Sequence, residues 1–358
     1  MKLKNFLHWT VLVPVISGLF YLGGFLVDSV ISNILGGLLL FGSVLAAVHH
    51  AEVIAHKVGE PYGTIILAIC ITILEVGLII SFMLSGGEGA MTYARDTVFA
   101  AVMLILNGIL GACIWIGAAK YKEQFFMRSS GTTYLVSLVA ILVLTLILPN
   151  YTSSVRGPFY TEAQLIFVSL ACLVIYGTFL RVQTVRHRNF FVIEEEDHTT
   201  HEADPPSLPK TFLSLGLLLV SLAVVIFMAK GLSPVIEDFV ESIGSPRALV
   251  GVIIATVVLL PEGFAAIRAA KTNQIQTSIN LGLGSALATV GLTIPVVSMV
   301  CIWFDIPFVL GLDMKSIILL ALSVFIVMLS LSRGKTNIMY GAVLIVNLAA
   351  YIFTVIVP

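Results

Sequence analysis

Apolar stretches of about twenty residues recur along the whole chain, separated by short polar breaks. Eleven such runs are centred near Pro14, Leu40, Ile73, Leu106, Ile141, Ser169, Leu219, Val258, Gly291, Leu322 and Leu348. A run of that length crosses a hydrocarbon core of ~30 Å as a helix. The two-residue alternation of a lipid-facing strand is absent, so the backbone must satisfy its hydrogen bonds within helices. The pattern predicts an all-α polytopic membrane protein with eleven transmembrane helices. Its longest polar break, 187–209 with EEEDHTTHEADPP at its heart, divides the runs six and five.

Composition agrees. Of 358 residues 58% are hydrophobic and 11% charged, with a mean hydropathy of +1.06, against about 25% charged in a soluble domain. The net charge of −1 and the lack of a basic cluster give no sign of nucleic acid. Cys70, Cys113, Cys172 and Cys301 lie singly in apolar runs and read as small buried hydrophobes. The start, MKLKNFLHW and an apolar run, shows no small-residue cleavage site and is expected to stay as the first span.

Lysine and arginine set the orientation. With the N-terminus inside, the cytoplasmic ends collect fourteen of them, Lys2, Lys4, Lys57, Lys120, Lys122, Arg128, Arg181, Arg186, Arg188, Lys210, Arg268, Lys271, Arg333 and Lys335. Only Arg95, Arg156, Lys230, Arg247 and Lys315 remain outside. This asymmetry predicts a cytoplasmic-membrane protein with a cytoplasmic N-terminus and acidic linker, and Pro358 outside.

The two halves repeat. VIAHKVGEPYGTIILAICITILEVGLI and IEDFVESIGSPRALVGVIIATVVLLPEGFAAI both pass from an amphipathic stretch through Gly and Pro into an apolar run and a Glu. Pro61 precedes Glu75 by fourteen residues and Pro246 precedes Glu262 by sixteen. Five helices separate the matching points, so the units cross the membrane in opposite senses, as in secondary transporters that bind near the midplane. The expected organisation is an extra N-terminal helix (1–29), a first five-helix repeat (30–186), the linker (187–209) and a second five-helix repeat (210–358).

Of twenty acidic residues only Glu75 and Glu262 lie deep within spans. A charge at that depth costs at least ~2.5–3.5 kcal/mol, so a matched pair marks a site. Oxygen-only anionic sites suit hard cations; Thr72, Asn107, Thr256, Asn280, Ser285 and Thr289 are the candidate hydroxyl and amide neighbours. The spans offer no zinc-type cluster. When the cation leaves, like-charged desolvated carboxylates take up protons, so Glu75 and Glu262 are also the proton-coupling candidates. Pro261 and Gly263 beside Glu262 suggest local unwinding with carbonyls turned to the ion. In NLGLGSALATVGLTIPVV, 280–297, the small residues serve either ion contact or close packing.

With these residues in view, GEPYGTIILAICITILEV and PEGFAAIRAAKTNQIQTSINLGLGSALATVGLTIPVV resemble the ChaA-type antiporters, in the cation/proton exchanger branch of the Ca²⁺/cation antiporter superfamily. The likeness covers nearly the whole chain, including the acidic linker and SRGKTNIMYGA before the last helix. It implies eleven helices, one extra plus two inverted five-helix repeats, exchanging Ca²⁺, or Na⁺ and K⁺, for H⁺ with no cofactor, and ion-binding glutamates at Glu75 and Glu262. The sequence departs from the family's Ca²⁺/H⁺ exchangers, which have Gly-Asn-Ala before each Glu; Thr72 and Leu259 stand at the Asn positions. Their Gly-Ser pair survives as Gly284 and Ser285, with Val102 and Met103 in the other repeat. Fewer oxygen ligands leave a strictly monovalent Na⁺(K⁺)/H⁺ antiporter as the alternative to Ca²⁺ exchange.

Weaker features remain. His49, Glu52 and His56 recur at helical spacing and could gate the inner mouth, or form a solvated stripe. Glu237 and Glu241 could draw cations to the outer mouth. The linker acids with His198 and His201 could bind regulatory Ca²⁺ or form a solvated tether. Of the rival classes, an intramembrane enzyme lacks a nucleophile or HExxH motif in the spans, and a channel would not drive uphill flux. Expected partners are the transported cations, protons and lipid; the sequence leaves a homo-oligomer open.

Overall fold

The computed structural model describes residues 8–26, 29–59, 62–84, 90–155, 157–191, 206–307 and 309–357. Among them the chain is helical and forms no strand. Eleven helices follow in order: α1 (Trp9–Leu22), α2 (Val30–Val58), α3 (Tyr62–Leu84), α4 (Tyr93–Tyr121), α5 (Arg128–Tyr151), α6 (Glu162–Arg186), α7 (Leu208–Ser242), α8 (Ala248–Lys271), α9 (Ile275–Phe304), α10 (Met314–Leu331) and α11 (Ile338–Ile356). From α2 onward all ten are long and apolar enough to cross a membrane. The first predicted span differs: α1 has 14 residues, about 21 Å of helix against a ~30 Å core. Gly23 and Gly24 stop it, with Gly24 at φ +66°, where a side chain would be strained.

Local chemistry sets the other boundaries. Thr161 and Gln164 form a reciprocal capping box at the start of α6, closing two of the orphan donors of a helix N-terminus. Asn337 caps α11 by accepting from the Met339 amide at 2.8 Å. Lys122, Asn273 and Asp305 adopt φ of 65°, 67° and 53° and end α4, α8 and α9. Four spans contain a π-helical stretch: α4 over Leu104–Ile109, α5 over Val143–Ile147, α6 over Val182–Arg186 and α9 over Thr289–Thr293.

The helices fall into two compact units, and each unit draws on both halves of the sequence: 1–90 with 202–250, and 91–201 with 251–358. In the first unit α2 packs on α1, α3 and α7. Ser43 Oγ donates to Ser17 Oγ at 2.9 Å across the α1–α2 joint. Gly77 lets α3 lie close to α7, since a Cβ there would sit 2.9 Å from Ile226 Cγ1, and Ser81 Oγ donates to the Gly77 carbonyl at 2.7 Å and reaches that of Ile226 at 3.3 Å.

In the second unit α4 and α9 are the most buried spans. Their connecting loops pair in a reciprocal way. The α4–α5 loop joins the α10–α11 loop through Phe126 N to Gly334 O, 3.0 Å, and Thr336 N to Gln124 O, 2.9 Å. The α9–α10 loop joins the α5–α6 loop through Leu310 and Gly311 N to Pro158 O, 3.2 and 3.1 Å. Exchanging residues 30–186 with 210–358 turns one loop pair into the other, which is what a two-fold relation between the halves requires. Lys120, Lys271 and Lys335 gather at the first pair, where Lys335 Nζ meets Glu123 at 2.8 Å and Lys120 Nζ donates to the Lys271 carbonyl at 2.9 Å. Arg95 lies at the second pair and donates to the Gly311 carbonyl at 3.2 Å. Residues expected on one side of the bilayer therefore share one end of this unit. The linker acids, with His198 and His201, and Pro61 of the first repeat lie outside the described residues.

Candidate functional site

Glu262 sits in the second half of α8, half-buried. The Ser285 hydroxyl of α9 donates to its Oε2. The α8–α9 turn makes this possible: Ser278 Oγ donates to the Ala266 carbonyl at 2.7 Å, and Gln274 N to Ala269 O at 2.9 Å, so α9 returns along α8. On the flank of Glu262, Gly263 rests on Ile109 of the π-helical stretch in α4, 3.4 Å from a notional Cβ. Tyr176 of α6, buried, lies within electrostatic range of the Glu262 carboxylate. A carboxylate with a hydroxyl on one oxygen is hard-cation chemistry, and the same oxygen can hold a proton.

The expected unwinding at Glu262 is not found: α8 is helical through Pro261 and Gly263. Proline removes the donor to the Val257 carbonyl without ending the helix, as membrane helices tolerate when neighbours meet the freed group. The irregular turns lie instead in α4, α5, α6 and α9.

Glu75 belongs to the first unit, on α3, and is 2% exposed. Thr72, one turn earlier, donates its hydroxyl to Ala68 O at 2.9 Å. Thr256, on α8, donates to Val252 O at 2.7 Å. Both hydroxyls retain lone pairs. Thr289 is buried inside the π-helical stretch of α9.

The two asparagines take part in hydrogen bonds between helices. Asn280 Oδ1 accepts from Ser130 Oγ and Gln276 Nε2, both at 2.9 Å, and its Nδ2 donates to Phe191 O at 2.6 Å. It joins α5, α9 and the segment after α6. Asn107 Nδ2 donates to Ser323 Oγ at 2.9 Å and Met103 O at 3.1 Å, while its Oδ1 accepts from Asn347 Nδ2 at 2.9 Å. That buried knot ties α4 to α10 and α11. These bonds engage Asn280 Oδ1 twice and Asn107 Oδ1 once, so the Asn107 oxygen keeps a lone pair. Asn107→Leu leaves one Asn347 N–H without its acceptor, while the other still reaches Ser323 Oγ at 2.8 Å, and is expected to cost ~1–3 kcal/mol. It should lower the thermal midpoint in detergent; an unchanged midpoint would show that the knot contributes nothing.

Ser323, Asn347 and Tyr176 were missed from sequence, although the signal existed for two of them. Ser323 and Asn347 are polar residues within the apolar runs of α10 and α11, the same oddity that singles out Glu75. The possible mouth residues divide. Glu237 accepts from Ser233 Oγ at 3.0 Å within α7, while Glu241, Glu52 and His56 are exposed. His49 sits beside His8 and His50. The small residues of α9 mostly pack: notional Cβ atoms at Gly282 and Gly291 would lie 3.1 Å from Leu110 and 3.3 Å from Tyr176.

Among the described residues, ten helices long and apolar enough to cross a membrane, two of them joined by a carboxylate and a hydroxyl, define a multi-pass membrane protein. The profile of the sodium/calcium exchanger proteins matches residues 29–185 and 213–357, and the chain belongs to that family. It is 42% identical to the protein y4hA of Sinorhizobium fredii, over 92% of this chain and 90% of that one. It is 32% identical to the sodium-potassium/proton antiporter ChaA of Escherichia coli K12, over 90% and 88%. Among solved structures, native YfkE superposes with a TM-score of 0.75 at 17% identity, over 98% of this chain and all of the other, which is a likeness of fold.

Proposed function

We propose that this chain is a secondary active antiporter that exchanges a cation for H⁺ across the cytoplasmic membrane by alternating access. Glu75 and Glu262 each carry cation and proton by turns, with the N-terminus and acidic linker on the cytoplasmic side. The observation that carries this reading is the Glu262–Ser285 contact between two spans. A carboxylate there must be neutralised by a proton or a cation, and a site that accepts either couples their movements. Two relatives support it, the E. coli sodium-potassium/proton antiporter and the Ca²⁺/H⁺ antiporter ChaA of Bacillus subtilis, 24% identical over 78% of this chain and 79% of that one.

Ca²⁺ suits the charge of two glutamates. Two observations favour a monovalent second reading. The E. coli relative is the more similar of those two, and Thr72 and Leu259 replace amide ligands. Proteoliposomes with an imposed pH gradient and a pH-sensitive dye separate the readings on adding Ca²⁺, Na⁺ or K⁺ in turn. Dissipation by Ca²⁺ alone supports calcium exchange, and by Na⁺ or K⁺ alone the monovalent one. Silence with all three sinks the antiporter. Ser285→Ala should weaken the apparent cation affinity about ten-fold or more, because a hydrogen bond to a charged group contributes ~1.5–3 kcal/mol; an unchanged affinity removes Ser285 from the site.

A further inference from the structure

α1 stands outside the repeats, and it is fastened to α2 by an imidazole. Pro14, inside α1, has no N–H to give the Thr10 carbonyl one turn before it. His50 of α2 supplies the missing donor: its Nε2 meets the Thr10 carbonyl at 3.2 Å. A carbonyl only accepts, so Nε2 carries the proton of the neutral ring and Nδ1 holds the bare lone pair. His50 is 4% exposed, and its Nδ1 is buried with no hydrogen-bond partner among the described residues.

The surroundings are basic. The His49 ring lies 5.5 Å from that of His50, and the His8 ring 6.1 Å from that of His49. His8 comes from the start of α1, where its Nδ1 also meets the Thr10 hydroxyl at 3.1 Å. From α7, Lys210 acts on His49 electrostatically. The acid nearby in sequence is Glu52, exposed and two positions from His50, which turns it to another side of α2. His56 and Lys57 further along α2 add no negative charge, and residues 1–7 carry two lysines and no acid.

We propose that His50, with His8 and His49, is a proton-sensitive latch that docks α1 onto α2 at neutral and alkaline pH and loosens it on acidification. Among the described residues no group of three His, Cys, Asp or Glu is arranged to hold a metal ion, so the cluster is read as a proton acceptor. The neutral form fits the site completely. A second proton must go to Nδ1, where no acceptor waits and where imidazoles and a lysine repel it. The docked joint therefore holds above the ordinary imidazole range of ~6.5 and weakens as pH falls through it. α2 has 29 residues, about 43 Å, so one end overhangs a ~30 Å core, and we place the histidine end there, within reach of aqueous protons.

Hydrogen–deuterium exchange of α1 in nanodiscs tests this without any transport readout. Rates at pH 5.5 and 7.5 are corrected for the intrinsic pH dependence of amide exchange. The wild-type protein should show at least five-fold faster exchange over residues 9–22 at pH 5.5. His50→Gln keeps a side-chain N–H for Thr10 and cannot be charged, so its exchange should be slow and equal at both pH values. His50→Ala removes the donor and should exchange fast at both. The variant pair His8→Gln with His49→Gln keeps His50 and should reduce the wild-type ratio. A wild-type ratio near one, or a His50→Gln protein that still loosens at pH 5.5, overturns the latch.

Discussion

Glu262→Gln is expected to abolish cation-driven proton flux, with a fall of about 100-fold or more relative to the unaltered protein. Glutamine keeps the size of the side chain and can still accept from Ser285, so α8 and α9 should remain packed. What it loses is the ability to bind a proton and to neutralise a cation. A charge left uncompensated at that depth costs at least ~2.5–3.5 kcal/mol, and each ~1.4 kcal/mol is a factor of ten in rate. Glu75→Gln should have an effect of the same order, because its carboxylate is buried in a span. The measurement is dye-reported dissipation of a pH gradient in proteoliposomes, normalised to inserted protein. Normal exchange by either variant would refute the shared carriage of cation and proton. Glu262→Asp draws the carboxylate away from Ser285 and should keep part of the flux, which the glutamine variant should not.

The second large effect is on folding. At Gly341 in α11 a Cβ would lie 2.5 Å from the Trp115 backbone nitrogen in α4 and 2.8 Å from the Gly111 carbonyl oxygen. On the facing helix, a Cβ at Gly111 would lie 3.0 Å from Leu344 Cβ. Two glycines thus bring two backbones together, the small-residue packing that holds membrane helices where no hydrophobic drive separates protein from lipid. Backbone cannot swing aside as a flexible side chain can. Gly341→Val must therefore part α4 from α11, at about 3 kcal/mol or more, and strain the Asn107–Asn347 knot on the same two helices. The expected outcome is a markedly lower thermal midpoint and poor recovery from membranes. Gly177→Ala is the control, since its notional Cβ meets nothing within 4 Å. Equal midpoints for the Gly341 and Gly177 variants would show that the close approach carries no stability.

The Gly341 contact was invisible in sequence, where one glycine in an apolar run resembles any other. Its role comes from what α4 places opposite. The same holds for Asn107 and Asn280: each hydrogen-bonds a partner more than a hundred residues away in sequence, which the sequence does not show. Pro261 misled, because a helix breaker next to a carboxylate suggests unwinding, while α8 continues through it.

The spans, their number from α2 onward, and the oddity of Glu75 and Glu262 follow from the sequence by itself. They rest on what lipid demands of every segment separately: enough apolar length, internally bonded backbone, and no charge without a task. Family membership follows in the same way, since it is carried by order along the chain. Only the tertiary structure decided which oxygens meet. It set Ser285 on Glu262, joined Asn107 and Asn280 to distant helices by hydrogen bonds, ended α1 short of a full span, and put His50 on the carbonyl that Pro14 leaves without a donor. Those outcomes depend on helix rotation and packing between distant segments, to which apolar runs of similar composition give no address.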